Sequence, residues 1–156
     1  MTPGIELVKT AGIFYDIHEY QHEASTTSFG VEAAEKMGVD AKRIFKTLLV
    51  KTDKNELIVG IIPVLEQLSM KQIAKASASK KAEMADGALV ERSTGYVLGG
   101  VSPLGQKRLH LTILDKSATN HETIFVSAGR RGVEIELQPK DLLQLTEGKL
   151  FDIIQQ

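Results

Sequence analysis

Two apolar runs separated by a short polar turn constrain this chain more than any other feature. Lys46 to Lys51 and Leu57 to Pro63 are dense in aliphatic and β-branched residues, and Asp53-Lys54-Asn55 between them is turn chemistry. The pattern predicts two strands, close enough in sequence to pair as a hairpin. It also poses a problem of facing. Alternate side chains of a strand point to opposite sides, so Lys46 shares a face with Leu48 and Val50, while Phe45, Thr47 and Leu49 share the other. A lysine on an apolar face must snorkel to water, meet a partner or line a cleft. The strand leaves all three open, the plainest being an end-of-strand lysine whose stem packs and whose ammonium is solvated.

The rest of the chain alternates between strand and helix signals without a regular βαβ rhythm. Thr2-Pro3 opens a helix that carries Ile5, Leu7 and Val8 and closes at Gly12. Ile13 to Tyr20 reads as a strand, Ser25 to Ser28 as a polar turn, and Phe29 to Met37 as a helix ended by Gly38. Ser69 caps a helix running to Ala76, Ala82 to Met84 is extended, and Asp86 caps a helix with Leu89 and Val90. Gly95 to Gly105 is a loop with a strand-like Tyr96-Val97-Leu98 inside it. Leu111 to Leu114, Thr123 to Ser127 and Val133 to Leu137 are strands, and Pro139 opens a last helix with Leu142, Leu143 and Leu145. The expected fold is a single compact α+β domain over residues 1–156. Its sheet is mixed, mostly antiparallel and curved or barrel-like, with helices around it.

Composition narrows the chemistry. The 19 basic residues nearly balance the 20 acidic ones, which argues against a dedicated polyanion binder but leaves room for a local basic patch. There is no cysteine, hence no disulfide, thiolate metal site or cysteine nucleophile. No signal-peptide pattern and no membrane-length apolar run is read, so the expectation is a cytoplasmic protein. His18 and His22 do not share a helix, and His110 and His121 lack nearby carboxylates at ligand spacing, so no metal site is expected. P-loop, dinucleotide and nucleophile-elbow motifs are absent, no cofactor is expected, and Ser102 reads as a loop serine. Gly99-Gly100-Val101-Ser102-Pro103-Leu104-Gly105 is either a tight connection or a loop whose amides hold a carbonyl or phosphate oxygen. Ser127-Ala128-Gly129-Arg130-Arg131-Gly132 is either a solvated basic turn or one that presents Ser127 and the arginines to a phosphate. Tyr20 and Phe29 bracket a polar segment and either wall a pocket or join the core.

These pieces together resemble the YbaK family of bacterial aminoacyl-tRNA deacylases, close kin of the editing domain inserted in bacterial prolyl-tRNA synthetases. The resemblance runs in order through MTPGIELVKTAGI at the start, FGVEAAEKMG at 29–38, FKTLLV at 45–50, KKAEMAD at 80–86, TGYVLGGVSPLGQK at 94–107, TIFVSAGRRG at 123–132 and EIEL at 134–137. It implies removal in trans of cysteine mischarged onto proline tRNA, with the 3′ end of the aminoacyl-tRNA as substrate and prolyl-tRNA synthetase as partner. By position it makes Lys46 the essential lysine lining the cleft. It gives Gly99 and Gly100, in a loop continuing to Pro103, the amides that hold the substrate carbonyl. Tyr20 and Phe29 become pocket residues, Ser127 the serine of a VSGG-like turn, and Thr47 and Glu134 substrate-binding residues. Two positions depart from the family pattern: Ala128 stands where glycine is common, and Glu134 stands where some members have aspartate, its carboxylate one methylene further out.

The mechanism implied is cleavage assisted by the substrate's own thiol, with orientation and oxyanion stabilisation supplying rate. That would let a protein without cysteine or triad act on an ester. A non-catalytic adaptor for a tRNA end or a synthetase, and an editing deacylase for another amino acid such as alanine, are the competing readings.

Overall fold

The computed structural model describes residues 1–23 and 29–156. Helix α1 (Pro3–Ala11) begins where Thr2 accepts the Ile5 amide and Pro3 occupies the first turn, and it stops at Gly12 in the left-handed region. Strand β1 (Tyr15–Glu19) follows, then α2 (Phe29–Met37), β2 (Phe45–Thr52) and β3 (Leu57–Pro63). Next come α3 (Met70–Ala76), β4 (Ala82–Met84), α4 (Gly87–Thr94), β5 (Leu111–Asp115), β6 (Ile124–Ser127), β7 (Val133–Leu137), α5 (Pro139–Thr146) and β8 (Lys149–Phe151). Ser69 and Asp86 cap α3 and α4 through their side chains. No helix among the described residues is long and apolar enough to cross a membrane.

The strands form two sheets. A three-stranded antiparallel sheet has the order β1-β7-β6, and a mixed five-stranded sheet has the order β4-β2-β3-β5-β8. The expected hairpin is present: β2 pairs antiparallel with β3, Lys46 opposite Ile62 and Leu49 opposite Val59. The parallel pairings are β3 with β5 and β5 with β8, so the fold is α+β with a mixed, mainly antiparallel set of strands. It is not a closed barrel: β1 and β6 edge one sheet, β4 and β8 the other, and among the described residues a single bridge, from Ile44 to Phe125, joins the two.

Facing along β2 follows the alternation of its sequence. Phe45 and Leu49, with Val59 and Ile61 of β3, enter the core shared with Ile124, Val126, Ile135 and Leu137 of the smaller sheet and with Val8, Val90 and Leu142 of three helices. Val50 points the other way, with Ile58, Ile62 and Ile113, against Ile73 of α3 and Ile153. The five-stranded sheet is thus covered on both faces, which is why β3 reads as a continuous apolar run. A third cluster packs Ala33 and Ala34 of α2 on Ile44 and Phe125 at the joint between the sheets.

Two expectations need correction. Tyr96-Val97-Leu98 is not a strand. Gly95 and Gly99 flank it with φ of 85° and 88°, a backbone that no ladder accepts, and Tyr96 instead donates its hydroxyl to the Leu104 carbonyl at 2.6 Å. Strand β8, three residues long, had no signal in sequence and exists through its parallel pairing with β5. The polar turn read at Ser25 to Ser28 lies outside the described residues.

Candidate active site

At the joint between the sheets a cavity of about 430 Å³ opens to solvent. Its lining draws Tyr20 from the end of β1, Lys46 and Thr47 from β2, Gly99 from the loop after α4, and Ser127 and Glu134 from β6 and β7. Six residues spread over more than a hundred positions of sequence therefore converge on one space. Lys46 and Thr47 are sequence neighbours pointing to opposite sides of β2, so the cavity wraps the start of this strand rather than lying on one sheet face.

Each polar group has a distinct environment. The Lys46 ammonium is half-buried, and burial pulls its pKa below the ordinary lysine range against the opposing charge of Glu66. It forms no ion pair among the described residues. Thr47 Oγ1 is buried without a hydrogen-bond partner among the described residues, an arrangement that costs about 1–3 kcal/mol when nothing compensates. Glu134 is 7% exposed, and burial raises its carboxyl to about 8. At neutral pH it is mainly the protonated acid, a hydrogen-bond donor rather than an anion. Burial, reinforced by Glu134, likewise raises the Tyr20 phenol to about 12, although the Gly132 backbone opposes the shift. Ser127 Oγ accepts the Gly129 amide at 3.1 Å, which leaves its own hydroxyl hydrogen available as a donor.

The glycine loop is more selective than the sequence implied. Gly99 lines the cavity, and its N–H makes no hydrogen bond among the described residues. The Gly100 N–H instead closes a turn onto the Val97 carbonyl at 3.0 Å, and Gly100 is buried outside the lining. An amide already engaged in its own turn is not available to an oxyanion, which leaves Gly99, of the two glycines expected to hold the substrate carbonyl, as the one that lines the cavity with an N–H unengaged among the described residues. Pro103 is also buried and outside the lining. It shapes the loop instead of touching the cavity. The side chain of Phe29 lies outside what the structure describes. Ser102 is fully buried, its Oγ accepting the Leu104 amide, as befits a loop serine.

Sequence reasoning missed the group that fixes the pocket's entrance. Glu32, 5% exposed on α2, accepts the Glu23 amide and the His22 Nδ1–H, each at 2.7 Å, and the Lys36 ammonium at 3.2 Å. Lys36 also donates to the Gln21 carbonyl. Burial alone would raise the Glu32 carboxyl, but these donors outweigh it and hold the group down at about 2. The lash fixes residues 21–23, immediately after Tyr20, to the helix whose Gly30 and Val31 line the cavity. Glu32 and Lys36 stand four apart on one helix face, the one sign of it in the sequence.

His18, Asp16 and Glu136 also lie close together, within 4.8 Å. Both Glu136 oxygens are already occupied: one accepts His18 Nε2 at 2.8 Å, the other Arg43 Nη2 at 3.1 Å and the Thr123 hydroxyl at 2.5 Å. Arg43 further stacks on Phe125, 4.8 Å from the ring centre. This is an ion-pair cluster bracing the joint between the sheets.

The fold and cavity define a small α+β domain with a pocket at the joint between two sheets. Residues 22–145 match the model of the aminoacyl-tRNA editing domain, and the chain belongs to that family. It is 41% identical over 136 residues to a protein of Enterococcus faecalis (strain ATCC 700802 / V583), covering 86% of this chain and 83% of that one. The relative is provisionally named as the Cys-tRNA(Pro)/Cys-tRNA(Cys) deacylase EbsC. It is also 29% identical over 136 residues to the uncharacterized YwhH of Bacillus subtilis (strain 168), covering 87% of this chain and 84% of that one. A solved structure provisionally described as a trans-editing enzyme for prolyl tRNA synthetase superposes with a TM-score of 0.85 at 22% identity, over 100% of this chain and 99% of that one, which establishes the shared fold.

Proposed function

We propose that this protein is a trans-acting deacylase that removes cysteine mischarged onto proline tRNA, working in the cytoplasm beside prolyl-tRNA synthetase. Membership of the editing family and the name of the Enterococcus relative support this reading. The observation that carries it is the convergence of Lys46, Thr47, Tyr20, Gly99, Ser127 and Glu134 on one cavity.

The chain contains no cysteine, so a thiol nucleophile comes from the substrate. The cysteinyl sulfur bonds to its own carbonyl carbon, the bond from that carbon to the ribose oxygen breaks, and the thiol proton ends on the released ribose hydroxyl. The products are free tRNA and a cyclic thiolactone. Holding sulfur and carbonyl in register replaces a bimolecular encounter with an intramolecular one. The Gly99 amide takes the developing negative charge on the carbonyl oxygen, a type of contact whose loss typically costs about 10²–10³ in rate. Lys46 supplies positive charge at the ester or the terminal ribose. Protonated Glu134, Thr47 and Ser127 supply hydrogen bonds to the polar atoms of the aminoacyl group and ribose. Recognition of the tRNA body falls to the synthetase, which fits the near-zero net charge of the chain.

Deacylation of cysteinyl-tRNA(Pro) by wild type and Lys46→Ala, with alanyl-tRNA(Pro) alongside, tests this. Loss of cysteine only, abolished by the substitution, is expected. Cleavage of the alanyl ester at a similar rate overturns the thiol mechanism, and no acceleration of either reaction overturns the enzyme assignment.

A further inference from the structure

The cavity carries more positive charge than the ester cleavage described above uses. Its lining includes three basic side chains, Lys46, Arg130 and Arg131, and one acid, Glu134, which burial keeps mainly protonated. In a chain whose charges nearly cancel, such a mouth attracts an anion. The two arginines are not equivalent. Arg130 lies 3.8 Å from Glu19, and both side chains are well exposed, which places it toward the outer surface. Arg131 is seated on the glycine loop. A Cβ on Gly99 would fall 2.3 Å from its Nη2, and Nη2 reaches the Leu98 carbonyl at 3.5 Å. The absent side chain at Gly99 is therefore the space the guanidinium occupies, at a glycine that lines the cavity. The planar donor fork of arginine matches phosphate oxygens. Beside it, Leu98 and Val31, 56% and 38% exposed, offer apolar surface at the same mouth, suited to the face of a nucleoside.

We propose that Arg131 is a phosphate-binding residue. It grips the phosphodiester that precedes the 3′-terminal nucleoside while that nucleoside sits against Leu98 and Val31. This rests on the deacylase reading for the orientation of the substrate, but not for the binding event itself. The test is an NMR shift titration of wild type, Arg131→Ala and Arg131→Lys with the trinucleotide CCA and with adenosine, at two salt concentrations. Wild type is expected to bind CCA more tightly than adenosine. Arg131→Ala should lose about tenfold for CCA and nothing for adenosine, and its salt slope should fall by about 0.7, as for one single-stranded phosphate contact. Arg131→Lys should retain part of the CCA affinity. Equal loss for both ligands would make Arg131 a support for the loop and overturn the proposal, as would unchanged CCA binding or a wild type that does not distinguish the two ligands. A wild type that shows the phosphate-dependent binding but cleaves no aminoacyl ester would defeat the deacylase reading and leave this inference standing.

Discussion

Replacing Glu134 by Gln should remove a large pH dependence of stability. In the folded protein burial moves this carboxyl from its ordinary 4.5 to about 8, so between those values the native state holds a proton that the unfolded chain has released. Stability from this group is complete below pH 4.5 and is lost progressively as pH rises towards 8. A tenfold change in proton affinity corresponds to about 1.4 kcal/mol, and the full interval to about 5 kcal/mol. The residue is 7% exposed, so solvent does little to screen the effect. Glutamine keeps the shape and cannot ionise. Urea denaturation of wild type and Glu134→Gln at pH 4.5, 6, 7 and 8.5 isolates the group, because every other ionisable residue is common to both proteins. The difference in unfolding free energy should grow in favour of the variant by several kcal/mol across this range. A flat difference would refute the reasoning and mean that Glu134 stays ionised against a cation in the cavity.

Thr47→Val removes a buried hydroxyl with no partner among the described residues. It should raise the thermal midpoint, by up to about 1–3 kcal/mol in stability, while raising KM for aminoacyl-tRNA in steady-state deacylation. Gly99→Ala meets both a φ of 88° and the Arg131 guanidinium. The strain of about 1–2 kcal/mol should appear in denaturation curves, and activity should fall by more than that strain accounts for, with partial recovery of stability but not of activity when Arg131 is also trimmed to alanine. Glu32→Gln should blunt acid unfolding: a carboxyl held at about 2 contributes stability present above pH 4.5 and lost as pH falls towards 2. Circular dichroism during acid titration should show a shallower transition, and KM at neutral pH should rise because Tyr20 loses its tether.

Most of the fold was legible because its signals were local. Caps at Thr2, Ser69 and Asp86, terminating glycines at 12 and 38, and the β2–β3 hairpin all depend on neighbours within a few residues. What failed to show was decided at long range. Strand β8 has only three residues and is defined by pairing with β5, while the β-branched and aromatic character of Tyr96-Val97 is overridden by two positive-φ glycines. The site divides the same way. A lysine on an apolar strand face drew attention to Lys46, and the family resemblance supplied its neighbours. No spacing rule could show that the Gly100 amide is tied to Val97, that Thr47 Oγ1 has no hydrogen-bond partner among the described residues, or that Arg131 fills the place of a side chain at Gly99. The first is set by the backbone angles of a local turn, and the other two depend on neighbours assembled only by the closed fold.

The joint between the sheets has a mechanical consequence. Among the described residues one bridge, from Ile44 to Phe125, joins the sheets by backbone, and the cavity sits there with walls from both. A molecule that binds Lys46 and Thr47 on one side and Ser127 and Glu134 on the other is a cross-brace, adding transverse ties where the backbone provides a single one. Occupancy should therefore tighten amide exchange along β1 and β7, beyond the lining residues Tyr20 and Glu134 at their ends, as well as in the loops that touch it. Anything that forces the two sheets apart at this seam would eject the ligand without altering a single contact residue.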